Sequence, residues 1–183
     1  MNIIHVIDFE GNRNLGISEF GVVTMENFEI KNARMEHCTN FFENYLEYFL
    51  SLRRSGILAA HSAQTEDCLL RHHWPSPGNV PMFVGDGTTV SWGPWIDTKL
   101  AYRRLFRGLI SYELQDLVAS FDLHSLLGEL AKQYCPFSAT NFHNSLFDAL
   151  ATALLIQNLP KYFSNVSLQI LLSLCKPKDA QIY

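Results

Sequence analysis

The sequence predicts an α/β fold that opens with antiparallel strands, and three stretches carry that prediction. Ile3-Ile4-His5-Val6-Ile7 is an apolar, β-branched run of the kind a fully buried strand requires, and Ile17 to Thr24 alternates behind a cluster of turn residues, so the two pair as a hairpin. Ile57 to His61 followed by a helical stretch to Arg71 is a βα unit, and ligands in open α/β sheets gather at such strand ends. From Leu146 to Ile156 the chain is apolar nearly all round, the mark of a buried helix.

At 183 residues the chain fits one domain with room for a terminal extension. Hydrophobic content of 48% and charged content of 17% are those of an ordinary globular protein and exclude a disordered or coiled-coil chain. No apolar run approaches ~18 residues and Met1-Asn2 leads straight into the first strand without a basic leader, so the expectation is a cytoplasmic protein with no membrane segment. Cys38, Cys68, Cys135 and Cys175 are scattered without a CxxC pair, which points to free, buried thiols. A net charge of -4 argues against a protein that coats long duplex DNA, because that affinity comes from neutralised phosphates. An enzyme that grips only an end through a local basic patch and metals fits the same charge.

The first strand ends in Asp8 and Glu10, which project to the same face because residues two apart in a strand do. Two like charges side by side are costly unless a cation or a shared proton lies between them, and hard oxygen ligands suit Mg²⁺ or Mn²⁺. A strand that ends in solvent would also explain the pair. Gly11 to Gly16 has turn chemistry, Ile17 to Thr24 is the second strand, and Phe28-Glu29-Ile30 reads as a third short one. Phe41, Tyr45, Tyr48, Phe49 and Leu52 are spaced for a helix from Asn40 to Arg54, stopped by Gly56.

The βα unit follows, with Thr65-Glu66-Asp67 at the start of its helix; acidic residues there suit the dipole as well as a site. Trp74 to Pro94 is long, irregular and rich in Pro and Gly, and its tryptophans offer either packing or a face for a base. Trp95 to Thr98 returns to strand and leads into a helix through Leu105. Lys99, Arg103, Arg104 and Arg107 form the densest basic cluster, either a solvated helix face or a phosphate-tracking patch. A helix is expected to start over Ser111 to Val118, and another from Ser125 to Tyr134. In the apolar helix after Leu146, Asp148 must meet a metal or a strong partner or be protonated, since a lone buried carboxylate is expensive. His143, five residues earlier, can lie beside the same site, whereas His5 reads as a buried structural histidine.

Asp8-Phe9-Glu10, the strand ending in Ala60-His61 before an acid, and His143-Asn144-Ser145-Leu146-Phe147-Asp148-Ala149-Leu150-Ala151-Thr152 together resemble the DnaQ-like exonucleases of the DEDDh type, in the ribonuclease H-like superfamily. Ile17 to Val23, Ile96-Asp97-Thr98 and Ser111 to Phe121 are weaker matches, and the resemblance runs from about Ile3 to Leu155. It implies a three-layer α/β/α fold with a mixed sheet, and two Mg²⁺ or Mn²⁺ ions held by Asp8, Glu10, an acid after His61 and Asp148. His143 would be the general base. The implied reaction is 3′–5′ exonucleolytic release of nucleoside 5′-monophosphates from single-stranded nucleic acid or 3′ ends, DNA or RNA.

Departures from the family pattern shape the remaining expectations. After His61 come Ser62-Ala63-Gln64-Thr65-Glu66-Asp67, where the family has an aspartate at the Glu66 place. Glu66 is the expected ligand and Asp67 its alternative, because Glu66 lies three and four residues before Leu69 and Leu70, on the core face of the helix. Gly11 and Asn12 stand where relatives carry threonines, so substrate contacts there rest on backbone amides; with His61, Arg103 and Arg104 they are the candidate substrate-binding residues. Residues 1–157 form the expected exonuclease domain. Residues 158–183 form a helical extension packed on it, with an apolar helix from Val166 to Cys175 capped by Ser164 or Asn165, and that extension could serve a homodimer, a polymerase or another protein partner. The competing reading is a catalytically weak relative that binds nucleic-acid ends or a polymerase. Retention of Asp8, Glu10, His143 and Asp148 together favours the enzyme.

Overall fold

The fold is that of a computed structural model, which describes residues 2–75, 79–81 and 88–175. The chain opens with β1 (Ile3–Asn12), β2 (Gly16–Glu26) and β3 (Glu29–His37), followed by the helices α1 (Phe41–Asn44) and α2 (Leu46–Ser55). Next come β4 (Ile57–Ala60), α3 (Ala63–His73), a small pair β5 (Asn79–Pro81) and β6 (Thr88–Val90), and β7 (Trp95–Asp97). The remainder is helical: α4 (Thr98–Leu105), α5 (Leu114–Ser120), α6 (His124–Tyr134), α7 (Ser145–Asn158) and α8 (Leu168–Leu174).

The main sheet has the order β3-β2-β1-β4-β7. Its β3-β2-β1 half is antiparallel and its β1-β4-β7 half parallel, so the sheet is mixed, as expected. Strand alternation divides the core in two. Ile4 and Val6 of β1 with Val23 and Met25 of β2 pack beneath α7 and its neighbours, whereas Ile7, Phe9, Phe20 and Val22 face Phe49, Leu52, Leu69 and Leu70 of α2 and α3. Helices therefore cover both faces, in three layers. Asp8 and Glu10 continue the Ile4–Val6 row beyond the apolar core, which puts them under the start of α7.

Helix α7 is buried along most of its length, matching its apolar sequence. Its first turn lies directly on β2 because of Gly21: a Cβ there would come 2.4 Å from the Ser145 carbonyl carbon and 2.5 Å from Leu146 Cα. His5 is buried, with hydrogen bonds to the Thr24 and Ser55 hydroxyls, the structural histidine the sequence indicates.

Several boundaries differ from expectation. β3 runs for nine residues, to His37, since it pairs with β2 along its length as a charged edge strand with little apolar alternation to read. Gly11 and Asn12 belong to β1, continuing the ladder past a bulge between Glu10 and Gly11. The expected Asn40–Arg54 helix is interrupted at Tyr45, and the helix expected from Ser111 begins at Leu114. α8 is capped by Ser167, whose hydroxyl accepts from the Ile170 N–H at 3.3 Å, in place of Ser164 or Asn165.

Of the irregular Trp74–Pro94 segment, residues 76–78 and 82–87 lie outside the described residues; within the rest, β5 and β6 pair antiparallel. Trp74 and Trp92 are buried in the core, which settles them as packing residues. α8 sits against α4 and β7. The Arg104 guanidinium donates to the Leu174 carbonyl at 2.5 Å and the Asp97 N–H to the Cys175 sulfur at 3.0 Å. The cysteines are free but only partly buried, short of the buried thiols expected, and among the described residues no helix is long and apolar enough to cross a membrane.

Candidate metal centre

Three chain segments converge at the carboxyl ends of β1 and β4. From β1, Asp8 and Glu10 point toward α7, and from the first turns of α7 Asp148 points back. One carboxylate oxygen from each of Asp8, Glu10 and Asp148 lies within 4.8 Å of the others. Glu66 joins from the first turn of α3. It is 5% exposed, its carboxylate accepts from the Phe9 N–H, and its charge is a principal perturber of Asp8.

The chain reaches these positions through two residues in the left-handed region. Ser62 at φ 66° turns the chain from β4 into α3, and His143 at φ 69° turns it into α7. The His143 conformation aims its N–H at Asp148 Oδ2, 3.2 Å away, and leaves its imidazole exposed beside Glu10 and Asp148. Asp8, His143 and Asp148 line a cleft of about 320 Å³, together with His61, Ser62, Phe142 and residues 113–115.

The electrostatics are those of crowded, dehydrated acids. Burial pushes the Asp8 carboxyl well above its ordinary range, and Glu66, Asp148, Glu10 and Glu19 push it further. Burial raises Glu66 to about 8 against the opposing Phe9 N–H, and raises Asp148 to about 6 against the opposing His143 N–H. Glu10 is raised as well, by burial and then by Glu19. Glu66 Oε2 and Asp148 Oδ1 are buried without a hydrogen-bond partner. Orphaned carboxylate oxygens in an all-oxygen cluster are the donor set a hard divalent cation requires, so these residues fit Mg²⁺ or Mn²⁺.

Asp67 is directed elsewhere. Its Oδ1 accepts from the Ser91 hydroxyl at 2.8 Å, the Trp92 N–H at 2.7 Å and the Trp95 indole at 3.0 Å. Arg71 Nε lies 2.8 Å from its Oδ2 as an ion pair without hydrogen-bond alignment.

The expected substrate-binding residues divide. Gly11 and Asn12 line a cavity of about 600 Å³ beside the acidic cluster, with Arg13, Gln64, Thr65, Lys99 and Arg103. Arg103 also lies over the Tyr112 ring, 5.9 Å from its centroid. Arg104 is instead occupied with the carbonyls of Ser173 and Leu174. The ring of His61 is at the cleft with both nitrogens engaged: Nε2 donates to the Tyr112 carbonyl at 3.0 Å and Nδ1 accepts from the Thr98 hydroxyl at 2.9 Å. Burial lowers its pKa and keeps it in that neutral arrangement.

Sequence reasoning missed two acids that hold the site's walls. Asp97 accepts from the Leu100 N–H at 3.0 Å and the Ala63 N–H at 2.9 Å, tying the starts of α4 and α3 together. Glu19, paired with Glu10 across the β1–β2 ladder, is 9% exposed and contacts Ser145. Its signal was legible: it shares a strand face with Gly21, Val23 and Met25, where an unpartnered charge has no place.

No family model matches this sequence, and no curated protein matches it. Among solved structures, the chain is similar to exonuclease X in complex with 5′-overhanging duplex DNA, at 17% sequence identity and a TM-score of 0.61. The match covers 93% of this chain and 98% of the other. What the two share is the fold: a mixed sheet between helical layers, of the ribonuclease H-like kind.

Proposed function

We propose that this protein is a metal-dependent 3′–5′ exonuclease that shortens DNA or RNA from the 3′ end to nucleoside 5′-monophosphates. The observation that carries the reading is the meeting of Asp8, Glu10 and Asp148 within 4.8 Å, beside a buried Glu66. The 3′–5′ direction rests on the resemblance of the sequence motifs to the DEDDh type. The fold shared with an exonuclease solved on DNA is consistent with it.

Asp8, Glu10, Glu66 and Asp148 would hold two Mg²⁺ or Mn²⁺ ions. Ions so held stabilise charge on the attacking and leaving oxygens of an in-line phosphoryl displacement. The chain's own groups supply the remainder. The exposed His143 imidazole stands at the mouth of the cleft, where it takes the proton from an attacking water, and its backbone N–H fixes Asp148. His61, locked between Thr98 and Tyr112, shapes the wall. Gly11, Asn12 and Arg103 border the adjacent cavity, where backbone amides and a cation suit a terminal phosphodiester.

The test is incubation with 5′-labelled single-stranded DNA and RNA oligonucleotides in Mg²⁺, Mn²⁺ or EDTA. A ladder shortening from the 3′ end only with metal is the expected result. Binding without cleavage under all conditions would assign the protein to a non-catalytic, end-binding role.

A further inference from the structure

We propose that Glu19 is a positioning residue for this centre: it fixes the start of α7, and with it His143 and Asp148, against the strand that carries Asp8 and Glu10. The proposal rests on the reading of the centre as a metal-dependent nuclease site.

Glu19 belongs to the same acidic neighbourhood as the candidate ligands, and its charge reaches Asp8 and Glu10. A fifth ligand would need an oxygen free to turn inward. Glu19 has neither oxygen free. Oε1 accepts from the Ser145 N–H at 3.0 Å and from the Ser145 hydroxyl at 2.6 Å, and Oε2 lies 3.0 Å from His37 Nδ1 on β3.

Ser145 is fully buried and is the first residue of α7, whose own preceding residue, Asn144, provides no side-chain cap. The first N–H groups of a helix have no intrahelical acceptor. Here the acceptor is delivered by a strand 126 residues away in sequence, so the cap is tertiary. Its effect is to register the helix on the sheet. Two residues along the same strand face, Gly21 lets the Ser145–Leu146 backbone rest against β2, next to its ladder partner Asp8. Glu19 hooks the helix and Gly21 admits it. His143 and Asp148 stand two residues before and three residues after the hooked position, and the His143 N–H to Asp148 Oδ2 contact joins them.

The experiment compares wild type with Glu19→Ala, Glu19→Gln and Ser145→Ala, each checked for folding by circular dichroism. Mn²⁺ affinity is measured by calorimetry and kcat and KM with a labelled oligonucleotide. Groups that orient metal ligands typically contribute about 10–100-fold in affinity or activity. A loss of that size in Mn²⁺ affinity and kcat, with KM little changed, is expected for Glu19→Ala. Glu19→Gln should restore most of it, because an amide oxygen still accepts both Ser145 donors. Ser145→Ala, which keeps the N–H donor, should lose several-fold, about half the effect on a logarithmic scale. It carries the test should Glu19→Ala not fold. A folded Glu19→Ala protein with wild-type Mn²⁺ affinity, a Glu19→Gln protein as impaired as Glu19→Ala, or an unaffected Ser145→Ala protein would each overturn the proposal. If the wild type cleaves nothing, the nuclease reading falls, while the ranking of Mn²⁺ affinities still decides the role of Glu19.

Discussion

Glu66 and Asp67 are adjacent in α3 and turn their carboxylates in different directions. Glu66 enters the acidic cluster with Oε2 unpartnered, and Asp67 gathers Ser91, Trp92 and Trp95 onto the helix. Successive helical residues differ by about 100° in direction, so one of the two acids facing the cluster excludes the other.

Glu66→Ala should therefore abolish metal-dependent hydrolysis while leaving the fold intact. Asp67→Ala should retain activity at low temperature and lose about 3 kcal/mol of stability, since buried donors left without an acceptor each cost about 1–3 kcal/mol. The tryptophan donors come from a segment whose course the sequence does not reveal. Urea melts and Mn²⁺-saturated assays of both variants check the ranking.

His143→Ala should lower kcat by ~10²–10⁴-fold, the usual contribution of a general base. Mn²⁺ affinity should be nearly unchanged, because the contact to Asp148 is made by the backbone N–H, which alanine keeps. Full activity of the variant at neutral pH would remove His143 from the reaction.

The metal-free protein should lose stability as pH rises from 6.5 to about 8. Glu66, raised to about 8 by burial, is still largely protonated in the fold when it is ionised in the unfolded chain, so its contribution is complete below the ordinary value of 4.5 and disappears as pH passes about 8. Asp148, raised to about 6, contributes in the same sense at lower pH. His5 and His61 are lowered, so their effect runs the other way and is confined below 6.5. Mn²⁺ should abolish the decline, and its binding at neutral pH should release protons, seen as a calorimetric enthalpy that varies with the buffer. A flat thermal-melt profile in EDTA would contradict this.

Gly21→Ala should cost about 1–3 kcal/mol by overpacking, because the added methyl meets backbone atoms of Ser145 and Leu146 that cannot rotate aside. Mn²⁺ affinity should fall with stability, since Asp148 moves with the helix. Paired thermal melts and Mn²⁺ titrations check the link.

Charge reversal should separate Arg103 from Arg104. Arg103→Glu, at the cavity wall, should raise KM and flatten its salt dependence. Arg104→Glu should mainly loosen α8, at a cost of about 1.5–3 kcal/mol for hydrogen bonds to a charged donor. Equal effects of the two on the salt slope would restore the continuous basic patch the sequence suggests.

The strand pair from Ile3 to Thr24, the βα unit and the buried α7 were legible because each is strongly periodic over many residues and its signal is local. So was the approach of Asp8 and Glu10 to Asp148, since the first two follow the apolar run of β1 and the third interrupts the apolar run of α7. The length of β3 was hidden by its exposed, charged side chains. The true occupation of Arg104 was hidden because its partners are backbone carbonyls about 70 residues on, with no side-chain pattern to mark them. The strand positions of Asp97 and Glu19 are readable, but the distant helix starts they reach, at Ala63 and Ser145, are not encoded in sequence spacing.

The long reach of Glu19 to Ser145 has a consequence for a chain being made from its amino end. β1 to β4 can emerge and pair with Asp8 and Glu10 in place, yet the acidic cluster lacks Asp148 and the hooked helix until Ser145 and the residues after it have also emerged. A contact this distant closes late in folding, after the local hairpin has formed. The proposed metal centre is thus incomplete in the nascent chain, and a fragment ending before α7 carries Asp8, Glu10 and Glu66 without the Asp148 that closes the cluster.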